Sequence, residues 1–290
     1  MNGIITKNIS DLYIVESNNN IYKCKAKGIF RKDKITPLVG DKVIFDEKKS
    51  VITNILERKN KLVRPPISNV DQALIVMSVV NPEFSTNLVD KLINIIEYNN
   101  IKPVLCLSKL DLLNNSNDIN KYISYYKDIG YNVILNTETD KLREIFKNKI
   151  TVITGQSGVG KSTLLNMLDS NLNLKTNEIS FALGRGKHTT RHVELINLFD
   201  GLVADTPGFS SLSFIGMKKE DIRDNFIEFN TYKEKCKYKD CMHLKEDDCE
   251  VKRMIESGKI LKSRYENYTK FISEVKSIYW YFFFFVLILK

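Results

Sequence analysis

Gly155-Gln156-Ser157-Gly158-Val159-Gly160-Lys161-Ser162 satisfies G-x-x-x-x-G-K-[ST] in full, and Thr163 follows it. Residue types at this spacing make a phosphate cradle. Glycines let the backbone turn successive N–H groups toward an anion, and a helix that starts at the lysine aims its positive end at the same point. Lys161 reaches the β- and γ-phosphates of a nucleoside triphosphate, and the Ser162 hydroxyl ligates Mg²⁺. Further along, Asp205-Thr-Pro-Gly208 offers a carboxylate to Mg²⁺ and a glycine N–H to the γ-phosphate. Between the two lies the polar, glycine-bearing stretch Gly184-Arg-Gly-Lys-His188-Thr189-Thr190-Arg191. A threonine hydroxyl there, Thr190 ahead of Thr189, closes on Mg²⁺ when the γ-phosphate is present.

A second chemistry sits near the C-terminal end. Cys236, Cys241, His243 and Cys249 bring three thiols and an imidazole within fourteen residues. Cys₃His is a closed tetrahedral zinc set, suited to holding structure and leaving no position for water. One structural Zn²⁺ is therefore expected, supplying folding energy to a polar segment with little core of its own. Cys24 and Cys106 stand alone in strand patterns and read as small buried residues.

The elements that must position these groups follow from periodicity. Ile4-Ile5, Leu12–Val15, Ile21–Lys27, Lys42–Phe45 and Val51–Leu56 are short β-clusters cut by polar turns such as Asn18-Asn19-Asn20. Residues 1–64 carry 14 basic against 7 acidic side chains, within a chain of formal net charge +9. Short strands with that excess predict a small OB-type barrel that binds nucleic acid. Pro65-Pro66 marks a boundary. Beyond it, strands Ala73–Val79, Val104–Leu107, Val133–Leu135, Thr151–Thr154 and Leu202–Ala204 alternate with helical runs, including Thr86–Tyr98 behind a cap at Ser85. That alternation predicts an α/β domain with a largely parallel sheet over residues 65–222. The remainder, 223–290, reads as a charged helical domain around the cysteine cluster.

Met1-Asn-Gly-Ile-Ile lacks a charged and then apolar leader, so a cytoplasmic protein is expected. The tail 278–290 holds twelve apolar residues in a row, short of the roughly 20 that span a bilayer. No stable membrane association is expected.

Ser108-Lys109-Leu110-Asp111 follows the strand ending at Leu107. An aspartate there accepts from both N1–H and the exocyclic amine of guanine, a donor pair that adenine lacks. The tetrapeptide resembles the guanine-reading N-K-x-D motif, with Ser108 in place of Asn. Here it precedes the phosphate loop, whereas ordinary Ras-like GTPases have the reverse order. With Val70-Asp71-Gln72, Gly186-Lys-His-Thr-Thr190, Asp205-Thr-Pro-Gly208 and the cysteine cluster, the chain resembles the RsgA (YjeQ) family of circularly permuted bacterial GTPases over about residues 1–275. The resemblance implies an OB barrel, a permuted GTPase domain and a zinc domain. It also implies GTP and GDP as ligands, Mg²⁺, late maturation of the 30S subunit as the task, and 16S rRNA as the main contact of a monomeric protein. Asn136-Thr137 departs from the small Ser/Ala loop that the family tends to carry, and no role is assigned to it.

The residue after Gly208 is Phe209, where Ras-like enzymes carry the glutamine that orients the attacking water. A phenyl ring cannot do that, so hydrolysis alone should be slow. His188 is the candidate for positioning the water. The main alternative is a nucleotide-controlled RNA-binding checkpoint in which hydrolysis only resets binding. A further one is a permuted ATPase.

Overall fold

A computed structural model describes residues 1–33, 35–62, 65–113, 117–172, 193–205 and 213–288. The chain divides into two compact units. The first comprises Met1–Pro82, Asn99–Asn114 and Val133–Ser211, and the second Glu83–Tyr98, Asn115–Asn132 and Leu212–Lys290.

The first unit opens with strands β1 (Asn2–Ile9), β2 (Leu12–Ser17) and β3 (Asn20–Ala26), then helix α1 (Ile29–Lys32), β4 (Lys42–Asp46) and β5 (Val51–Ile55). Strand order runs β1-β2-β3-β5-β4, and β4 returns to β1 to close a five-stranded, OB-like barrel. Alternation explains it. Along β2, Tyr13, Val15 and Ser17 are buried while their neighbours are not, and Val43 and Phe45 do the same along β4. Asn18 and Asn19 both take left-handed conformations, φ 48° and 62°. A two-residue turn of that kind matches the twist of the strands that it joins, and asparagine tolerates it. The triple-asparagine punctuation thus becomes a hairpin.

After the short pair β6 (Lys61–Leu62) and β7 (Ile67–Ser68) come β8 (Gln72–Ser78), β9 (Lys102–Ser108), β10 (Asn132–Leu135), helix α4 (Thr139–Phe146; α2, Thr86–Tyr98, and α3, Asn117–Asp128, belong to the second unit), β11 (Ile150–Thr154) and helix α5 (Lys161–Leu168). Strands β12 (Glu194–Leu198) and β13 (Gly201–Asp205) complete the unit. β8 pairs in parallel with β9 and β11, and β11 with β13. Every residue of β8 and β11 is buried, as expected of central parallel strands covered on both faces. Val70-Asp71-Gln72 acquires a structural account. Asp71 Oδ2 accepts from the Ile150 N–H at 2.7 Å, and Gln72 Nε2 donates to the Ile145 carbonyl at 2.6 Å. Both fasten β8 to the chain around β11.

β12 was not expected from the sequence. It pairs antiparallel with β13 through a turn at Phe199 and Asp200, and with β1 at Lys7↔Glu194, where the two side chains form a 2.7 Å ion pair. The barrel and the parallel strands therefore share one continuous eleven-stranded order among the described residues.

The second unit is helical: α2 (Thr86–Tyr98), α3 (Asn117–Asp128), α6 (Lys219–Asp224), α7 (Ile227–Tyr232), α8 (Glu250–Glu256) and α9 (Lys262–Ile288). The Ser85 hydroxyl accepts from the Leu88 N–H at 3.3 Å, as a cap should. The buried face of α2 carries Val89, Leu92, Ile93, Ile95 and Ile96, while Leu88 is only half-buried. Phe226, Phe229, Tyr268 and Phe271 stack edge and face at centroid distances of 5.2–6.2 Å. Inside them lies Arg264, 1% exposed. Its guanidinium forms a two-pronged contact with Glu228 and a single one with Asp90, each at 2.7 Å. Removing one partner from such a cluster would leave a buried charge unpaired, at a cost of about 3–5 kcal/mol. Among the described residues, no helix is long and apolar enough to cross a membrane.

Candidate nucleotide site and metal centre

The C-terminal ends of parallel strands are where open α/β sheets place a ligand crevice. Three such ends, those of β8, β9 and β11, lie side by side in this fold. The strand β11 runs straight into Gly155, whose φ is +142°. A Cβ there would come within 2.1 Å of the Val76 carbonyl oxygen, so only glycine passes. Gly158 and Gly160 follow with φ of +79° and +93°, and Gly160 stands immediately before α5. Val159, fully buried, pins the loop from within, while Ser157 and Gly158 are exposed. Lys161 Nζ donates to the carbonyls of Gly155 and Gln156 at 2.8 and 2.6 Å. Partial burial holds its pKa below the usual lysine range. Ser162, in the first turn of the helix, is buried, and Thr163 is exposed.

Ser108 ends β9 and is 4% exposed. Its Oγ donates to the Val159 carbonyl at 2.6 Å, tying the expected base-reading segment to the phosphate loop across 51 residues of sequence. A Cβ on Gly160 would lie 3.9 Å from the same oxygen. Lys109 adopts φ 61° and its ammonium binds the Asn81 carbonyl. Leu110–Leu112 forms a 3₁₀ turn that presents Asp111 to solvent. The structure thus brings Ser108–Asp111 beside Gly155–Thr163, which the sequence separates. At the end of β10, the Asn136 N–H donates to the Leu107 carbonyl at 2.9 Å.

His188, Thr189, Thr190, Thr206–Gly208 and Phe209 lie outside the described residues. Asp205 terminates β13, on the strand adjacent to β11. Two residues of this region escaped the sequence reading, Ser78 and Asn81. The available signal was a single serine closing the otherwise apolar run Ala73–Met77.

In the second unit the ligand atoms of Cys236, Cys241, His243 and Cys249 all lie within 4.8 Å of one another. His243 Nδ1 is 3.3 Å from Cys249 Sγ and 3.7 Å from Cys236 Sγ, and those two sulfurs are 3.9 Å apart. Tetrahedral zinc with ordinary bond lengths gives edges of about 3.6–3.8 Å, so the donor set fits the ion. Burial holds His243 down to about 4, which keeps the imidazole neutral, the form that ligates. Burial likewise pushes the Cys241 thiol up to about 12, and a divalent cation would offset that by stabilising the thiolate. Around the cluster, Glu246 accepts from the Met242 and Leu244 N–H groups, both at 2.7 Å, and Tyr265 donates to the His243 carbonyl at 2.7 Å. These bonds fix the loop that carries the ligands.

Comparisons with known proteins agree with the fold described above. The family model described as the RsgA GTPase matches residues 55–215, and that of the RsgA N-terminal domain matches 2–53. The small ribosomal subunit biogenesis GTPase RsgA of Bacillus cereus (strain ATCC 10987 / NRS 248) is 47% identical over 284 residues, covering 94% of this chain and 97% of the relative. Its counterpart in Bacillus subtilis (strain 168) is 46% identical over 289 residues with the same coverage. Among solved structures, YloQ, a circularly permuted GTPase, superposes with a TM-score of 0.81 at 40% identity, covering 95% of both chains. YjeQ from Thermotoga maritima gives 0.80 at 35%, covering 94% of this chain and 97% of that one.

Proposed function

The chain belongs to the RsgA family of circularly permuted GTPases, and from that membership we propose that the small ribosomal subunit stimulates its GTP hydrolysis during late maturation. Its contact is 16S rRNA, its location the cytoplasm, and it acts as a monomer. The observation that carries the reading is the Ser108–Val159 hydrogen bond. It ties Ser108 to the Gly155–Thr163 loop, which supports reading Ser108–Asp111 as the guanine-reading segment beside the phosphate loop.

Phosphoryl transfer needs positioning and charge neutralisation more than covalent chemistry. Backbone N–H groups of Gly155–Thr163 hold the phosphates, and Lys161 neutralises the β- and γ-oxygens. Ser162 and Asp205 would hold Mg²⁺, which would supply charge neutralisation at the phosphate oxygens. Asp111 pairs with the guanine edge while the Lys109 stem covers its plane. Thr190 closes the switch. Cys236, Cys241, His243 and Cys249 hold the structural zinc.

Phe209 supplies no group to orient water, so intrinsic turnover is slow and His188 takes the role when the subunit is bound. The same residue favours, as a second reading, a checkpoint in which binding does the work and turnover resets it. His188→Ala separates the two. Loss of subunit-stimulated hydrolysis with intact subunit binding is expected, and unchanged stimulated hydrolysis removes His188 from the mechanism.

A further inference from the structure

Behind the candidate nucleotide site, the end of β8 touches both of its halves. Ser78, the last residue of that strand, is 1% exposed and pairs in register with Ser108. The following residue, Val79, donates its N–H to the Ser108 carbonyl at 3.2 Å. The chain then turns through Asn81, with φ 47°, and Pro82. Ser78 Oγ donates to the Pro82 carbonyl at 2.6 Å, closing a loop on itself four residues later. Two groups of the site rest on that loop. The Asn81 carbonyl accepts the Lys109 ammonium, and a Cβ on Gly158 would stand 4.0 Å from the Pro82 ring.

We infer that Ser78 is a positioning residue for nucleotide binding, fixing the turn 79–82 so that the Asn81 carbonyl holds Lys109 over the base. The inference rests on Ser108–Asp111 being the base-reading segment. The physical chain is short. A lysine stem has many rotamers, and its cover of a base plane is worth little unless its end is anchored. The anchor is a carbonyl on a turn, and a carbonyl stays in place only while the turn does. Ser78 supplies the side-chain tie across that turn from a buried strand position. Without the hydroxyl, the Pro82 carbonyl loses its donor and the turn gains freedom to re-pair with water. The Lys109 ammonium then loses its partner, and bound nucleotide loses the stem. Lys161 bonds to the Gly155 and Gln156 carbonyls instead, so the chemical step at saturation is untouched.

The test uses the full chain and a fluorescent GDP analogue, together with GTP turnover without subunits. Ser78→Ala should raise the Kd for GDP and the KM for GTP alike, by about three- to tenfold, with kcat within twofold. Lys109→Met keeps the stem and removes the ammonium. In that background Ser78→Ala should change neither Kd nor KM, because the ammonium is what the turn holds. Unchanged affinity in the single variant overturns the inference. An equal loss in both backgrounds also overturns it, since that is what general loosening of the strand would produce. Asp111→Asn in the same assay reports on the underlying reading. Retained guanine selectivity there overturns base reading by this segment, and the inference with it. Lost selectivity beside unchanged Ser78→Ala affinity overturns the inference alone.

Discussion

Asp111 illustrates how little a residue says without its surroundings. In the sequence S-K-x-D resembles many charged helix starts, and Ser108 departs from the asparagine of the usual motif. The structure gives the departure a physical reading, because a serine hydroxyl suffices to reach the Val159 carbonyl at 2.6 Å. Asp111 is left exposed on its 3₁₀ turn, available to a base. Asp111→Asn should lower selectivity for GTP over ATP by roughly tenfold or more, measured as a ratio of kcat/KM, because an amide cannot accept both guanine donors. A retained ratio would remove Asp111 from base reading. Glu97 in α2 makes a separate prediction. Burial raises its carboxyl from 4.5 to about 7. A folded pKa above the unfolded one means that the native state binds the proton more tightly. Stability from this group is therefore greatest at low pH and is lost as pH rises from about 4.5 to 7. Glu97→Gln should flatten that part of the profile and stabilise the protein at pH 8 by on the order of 2 kcal/mol. Denaturant unfolding at pH 5.5 and 8 checks it, and an unchanged slope would contradict it.

At the scale of elements, the sequence announces what is periodic and hides what is long-range. The barrel strands, α2 and the central strands all carry local signatures: alternation, a serine cap, continuous apolar runs. β12 carries none strong enough, because its identity depends on a hairpin at Phe199-Asp200 and one register pair with β1. Arg264 was illegible for a related reason. A charged residue early in a helix reads as solvated until Asp90 and Glu228, more than 30 residues distant in the chain, close around it. The cluster of Cys236, Cys241, His243 and Cys249 was fully legible, since fourteen residues of sequence contain the whole set. Cys241 and Cys249 also belong to the apolar core of the second unit, so the metal and that core should fail together. Chelation, or Cys249→Ser, should remove one zinc per chain and open residues 213–288 to protease, while the barrel stays protected. Protection unchanged after complete metal removal would contradict a structural ion.

For the whole molecule, the fold explains why permutation is tolerated. A nucleotide sees spatial positions, and the parallel order β9-β8-β11-β13 brings Ser108, Gly155 and Asp205 to the ends of neighbouring strands whatever their order along the chain. Charge is distributed accordingly. The N-terminal 64 residues carry 14 basic side chains against 7 acidic, and residues 65–222 carry 16 against 17. We propose that the basic flank grips a polyanion while the balanced centre handles nucleotide. The most direct measurement is steady-state GTP turnover with and without purified 30S subunits. Turnover by the protein alone should be slow, because Phe209 orients no water, and should rise at least about tenfold on adding subunits. Equal turnover in the two conditions would contradict it.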